Sequence, residues 1–114
     1  MMITFTELLE RAKTEKLAIH TPTEAQAKKL LSELDERGYE WVNGEKLTDI
    51  TRYEDEKENT CYVFGIDVFG NVLDKKVVYE SLKFHQENGY TVIEFDEISD
   101  FASKAKKRTY FSKR

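Results

Sequence analysis

The chain has 114 residues, of which 39% are hydrophobic and 35% charged, with seven Phe, six Tyr, one Trp, one Cys and a net charge of −4. That length fits a single domain with an aromatic-rich core, and one cysteine excludes an internal disulfide, as expected in a reducing cytoplasm. The apolar runs fall far short of the roughly 20 residues that cross a bilayer, and no secretory signal pattern precedes the first helix, so the expectation is a chain outside the membrane.

Thr4-Phe5-Thr6-Glu7 has the spacing of a capping box, with Ile3 and Leu8 placed as a hydrophobic staple. Phe5, Leu8, Leu9 and Ala12 then recur at helical spacing, which predicts a helix over about 5–14. Lys16 to His20 alternates as a short strand. Thr21-Pro22-Thr23-Glu24 reads as a second box, with the only proline at the first helical position of a helix over 22–37. Ala27, Leu30, Leu31 and Leu34 form its apolar face, Lys28, Lys29, Glu33 and Glu36 its polar one, and Gly38 the left-handed stop.

After Gly38, Trp41-Val42 is extended, Asn43-Gly44 turns, and Leu47 to Ile50 is extended again. Tyr53 to Asn59 holds four acids and one lysine and reads as a solvated loop. Cys61 to Phe69 is rich in β formers, and Gly70-Asn71 turns it toward Val72-Leu73 or Val77-Val78-Tyr79 as a hairpin. Ser81 to Glu87 is a short helix ended at Gly89, Tyr90 to Phe95 a strand, and Asp96 to Ala102 a last helical turn. The segment Glu36-Arg37-Gly38-Tyr39-Glu40-Trp41-Val42 is echoed by Glu87-Asn88-Gly89-Tyr90-Thr91-Val92-Ile93, a helix stopped by glycine and followed by a Tyr-led strand.

These elements predict one α+β domain over 1–103, with about four or five mostly antiparallel strands and helices packed on one face. Residues 104–114 follow as a basic, flexible tail. The tail carries six cations and no acid; setting those six charges aside takes residues 1–103 from the whole chain's −4 to −10.

Catalytic patterns are absent. The glycines at 38, 44, 65, 70 and 89 form no phosphate loop, and neither His20 nor His85 stands near a serine in a nucleophile elbow. Cys61 with His20 or His85 is a weak thiolate pair, outweighed by a small buried thiol. No cofactor motif occurs. Zinc is the one metal whose ligand types are present, in His20, Cys61 and His85, and a site requires His20 and Cys61 to meet at one end of the sheet.

Binding surfaces are more numerous. Glu54, Asp55, Glu56 and Glu58, with Glu94, Asp96, Glu97 and Asp100, form either a solvated face or an acidic patch that imitates a phosphate backbone to a basic groove. Trp41 and Asn43 either fill core and turn or line a ligand cleft, completed by oligomerisation in so short a chain. Lys106, Lys107, Arg108 and Tyr110 combine cations with a stacking ring, as nucleic-acid contacts do, although the acidic body opposes that use.

His20-Thr21, the capped helix, Gly38-Tyr39-Glu40-Trp41 with Gly44 and Leu47, Thr60-Cys61-Tyr62, and Gly89-Tyr90 leading to Ile93-Glu94-Phe95 together resemble small uncharacterised proteins of phages and prophages of Gram-positive bacteria. The likeness spans roughly 16–98 and carries no catalytic residues. It implies a non-enzymatic protein in a bacterial host cell that occupies a host protein, including a defence nuclease of the CRISPR type.

Overall fold

The computed structural model of the protein describes residues 2–101 and shows one α+β domain with a five-stranded mixed sheet. In chain order the elements are α1 (Phe5–Ala12), β1 (Leu17–His20), α2 (Glu24–Glu36), β2 (Glu40–Trp41), α3 (Tyr53–Glu56), a 3-10 turn (Lys57–Asn59), β3 (Thr60–Val63), β4 (Lys76–Ser81), α4 (Leu82–Glu87), β5 (Thr91–Glu94) and a second 3-10 turn (Phe95–Glu97). A helical turn begins at residue 99. The sheet runs β2-β4-β3-β1-β5; the two central pairings, β4–β3 and β3–β1, are antiparallel, and the outer two are parallel.

Local chemistry explains the helix ends. Thr4 accepts the Glu7 N–H while Glu7 accepts the Thr4 N–H, the reciprocal box that the spacing predicts. In α2 the box is Thr23 with Gln26 rather than Thr21 with Glu24. Thr21 is drawn away by the sheet: it is fully buried, and its N–H donates to the Thr60 carbonyl at 3.0 Å. Pro22 therefore precedes the cap instead of opening the helix.

The echoed segments prove to be the same structure twice. Gly38 and Gly89 adopt φ of +88° and +80°. Gly38 and Tyr39 donate to Asp35 and Leu34 carbonyls, while Gly89 and Tyr90 donate to Gln86 and His85 carbonyls. Both sets of bonds form a Schellman motif, which satisfies the last helical carbonyls and launches the strand.

Alternation along the strands separates two apolar layers. Leu17, Ile19, Tyr62 and Val77 face the main core with Phe5, Leu8, Ala27, Leu30, Leu31 and Leu34, so α1 and α2 cover one face as expected. Ala18, Cys61 and Val63 face the other way, against Tyr90, Val68, Leu73 and Leu82. The second face is thus closed by α4 and by the arm between β3 and β4, an addition to the one-sided helical cover expected from sequence. Glu33 also departs from the expected polar face of α2: it is 8% exposed and is neutralised by Lys29 at 2.9 Å and Arg37 at 3.1 Å.

Three further expectations are corrected. The acidic run at 53–59 is not a loop but a turn of α-helix followed by a 3-10 turn, entered through left-handed Arg52 and joined at Lys57, which also has a positive φ of 51°. Leu47 to Ile50 is not extended; Leu47 alone of this stretch is buried. The β formers from Cys61 to Phe69 make a strand only to Val63, because Gly65 packs against the end of α1, and a narrow hairpin bridged at Ile66 and Val72 grows from the β3–β4 connection.

Candidate functional site

One end of the sheet gathers most of the candidate acids. Three hydroxyls fix the 53–59 segment there: Tyr53 donates to the Pro22 carbonyl at 2.6 Å, Tyr62 to the Thr51 carbonyl, and Thr60 to the Lys57 carbonyl at 2.7 Å. His20, last residue of β1, lies between this segment and β5. Its Nδ1 is 2.7 Å from the Glu94 carboxylate and its Nε2 is 2.7 Å from the Glu58 carbonyl. Both neighbours are acceptors; a neutral ring donates to one of them, and only a protonated ring donates to both. Gln26 adds a bond from α2 to Asp96 at 3.1 Å.

The eight acids do not behave alike. Glu54, Asp55, Glu58, Glu94 and Asp96 are exposed, Asp55 while accepting the Tyr79 hydroxyl, and Glu56 is half-buried. Glu97 and Asp100 serve the fold, accepting the backbone N–H groups of Glu94 and Phe5. Among the described residues no Lys or Arg pairs with Glu54, Glu58 or Asp96. Glu24, which sequence reasoning did not include, belongs with them: it is exposed in the first turn of α2, and its charge acts on the Tyr53 and Tyr62 hydroxyls. Its sequence signal was an acid at a helix start beside His20-Thr21.

His20 and Cys61 do meet, as direct partners across the antiparallel β1–β3 pair. The ring nitrogens of His20 are nevertheless engaged, and burial, with the Glu94 charge adding to it, pushes the Cys61 thiol up to about 12, so it remains protonated near neutrality. His85 sits on α4 in edge contact with Phe84 and Tyr90, its Nδ1 buried without a hydrogen-bond partner among the described residues. No group of three or more His, Cys, Asp or Glu among the described residues is placed to hold a metal ion. A nucleophilic thiolate is likewise not produced by this arrangement.

Trp41 and Asn43 are brought together in an open groove of about 230 Å³ at the β2 edge, lined also by Val42, Arg52, Val78 and Tyr79. Trp41 is both wall and core: it is 3% exposed, donates to the Ile50 carbonyl at 2.9 Å and packs on Tyr62 and Tyr79. The groove is smaller than the roughly 300 Å³ at which enclosed ligand pockets begin. Lys106, Lys107, Arg108 and Tyr110 lie outside the described residues, and no described helix is long and apolar enough to cross a membrane.

No protein-family description matches this chain, and comparison with curated proteins and with solved structures yields no match.

Proposed function

We propose that the protein is a non-enzymatic binding protein, of the kind phages deploy in a bacterial host cell, that presents its acidic end to a basic groove of a host macromolecule such as a defence nuclease. The observation that carries this reading is the His20 bridge, which fastens the Glu58 segment to the Glu94 segment and so holds Glu54, Glu58, Glu94 and Asp96 at one end, where the charge of Glu24 on α2 is also felt by the Tyr53 and Tyr62 hydroxyls. Carboxylates held together without described Lys or Arg partners suit a surface that ordinarily receives phosphates. The −10 charge of residues 1–103 and the likeness to small phage proteins support the same use.

The test is binding to a host nuclease captured from lysate by the tagged chain. Capture is expected to weaken with salt, to be competed by duplex DNA, and to vanish when Glu54, Glu58, Glu94 and Asp96 are changed to Lys. Changing Glu10 and Glu15, which pair with Lys13 and Arg11 at the end of α1, should leave it intact. A complex that survives the first set of changes, or ignores DNA, removes the proposal.

A further inference from the structure

Phe69 is 84% exposed and Val72 is 68% exposed, the two most exposed large hydrophobic side chains in the described chain. They are not on a loose loop. The Asp67 carboxylate accepts the N–H groups of Phe69 and Asn71, each at 2.9 Å, and the Asp67 N–H donates to the Asn71 carbonyl at 2.9 Å. The base of the hairpin is tied by Leu73 N–H to the Gly65 carbonyl at 2.7 Å, and its flank by the Tyr90 hydroxyl to the Ile66 carbonyl at 2.7 Å. A rigid hairpin that holds a Phe ring in water presents that ring to something.

The groove at Trp41 is a receptor of matching kind. It exists because β2 stops at Trp41 while β4 continues to Ser81, which leaves Val78 and Tyr79, paired with β3 on one side, without a strand on the β2 side and Val42 at the lip, 59% exposed. A cavity of about 150 Å³ takes a benzene ring, so 230 Å³ accommodates a Phe ring with room beside it. The charges agree as well. Arg52 lines the groove, with its guanidinium 5.9 Å from the Trp41 ring centre and one amino group paired with Glu45 at 2.8 Å, which leaves its other N–H groups for a second carboxylate, and Asp67 stands two residues before Phe69.

We propose that the Phe69 hairpin of one copy seats in the Trp41 groove of a second copy, with Asp67 facing Arg52, so that the chain forms a reciprocal dimer through two such contacts. A two-fold pair uses both knob and groove of each copy and closes on itself. Two small contacts bury less than the roughly 1,200 Å² of standard interfaces, so the pair belongs to the weak, concentration-dependent class.

Sedimentation from about 10 μM to 1 mM, with emission of Trp41 as a second reading, tests this; Trp41 is the only tryptophan in the chain. The wild type should shift from monomer to dimer with a parallel change in emission. F69D and V42D, both at exposed positions, should each stay monomeric at 1 mM with unchanged circular dichroism. An equal mixture of the two restores one of the two contacts, since one supplies an intact groove and the other an intact hairpin, and should show a change in Trp41 emission that neither variant shows alone, with weaker association than the wild type. A wild type that is monomeric at 1 mM overturns the proposal and leaves the groove to another protein's side chain. A dimer that persists in both variants overturns it too. None of these outcomes depends on the acidic end, so they are independent of nuclease capture.

Discussion

His20 and Glu94 meet at 2.7 Å across the parallel β1–β5 pair, and the same imidazole reaches the Glu58 carbonyl, so one side chain closes the acidic end of the sheet. Its side chain is only 12% exposed, which keeps water from replacing either contact freely. His20→Ala is expected to cost about 1–3 kcal/mol in urea unfolding, the range for leaving buried hydrogen-bonding groups without their partner. The same change should weaken nuclease capture although every acid remains. An unchanged unfolding midpoint would show that the bridge contributes nothing to the fold.

Stability should fall on mild acidification because of His85. Burial pushes its pKa down from the ordinary 6.5 to about 4, against a smaller opposing effect of the Ser81 backbone. Between those values the unfolded chain binds a proton that the folded chain refuses. The stability associated with the neutral ring is therefore complete above pH 6.5 and is lost as pH drops toward 4. By pH 5 the loss is on the order of 2 kcal/mol. In His85→Phe the slope of stability between pH 7 and 5 should flatten by about one proton, measured by urea unfolding across that range.

Gly65 is required for closeness, not for an unusual φ. A Cβ there would lie 2.0 Å from the Ala12 carbonyl oxygen and 2.6 Å from its carbon, both backbone atoms at the end of α1. Gly65→Ala should destabilise by about 3 kcal/mol, the upper part of the overpacking range, since a helix end rather than a side chain must move. Thermal unfolding checks this, and a melting temperature within a degree of the wild type contradicts it.

Cys61 should be chemically silent in the folded protein. It is fully buried, and its thiol is held protonated by burial. Reaction with a thiol reagent at pH 8 is expected to be at least about a hundredfold slower than in urea, because the exposed thiol has a pKa near 8.5. Rapid modification of native protein would mean that this strand opens readily.

Helix ends and apolar stripes were legible in the sequence because they are made by residues three to five positions apart. The Thr4–Glu7 box, the apolar face of α2, and the paired Gly38-Tyr39 and Gly89-Tyr90 exits all follow from such spacings. The acids were legible by type but not by role. Tertiary structure decided which became surface and which became caps for Phe5 and Glu94, because that depends on which backbone N–H groups arrive beside them. Strand order did the same for His20, whose partners lie 38 and 74 residues away, and for Thr21, which left its expected cap to pair with Thr60. Phe69 reads as one more strand residue in sequence. Only the early end of β3, forced where Gly65 meets Ala12, turns it outward. Short-range hydrogen bonds are written in local order, whereas strand pairing and close packing are settled only when distant segments compete for the same space.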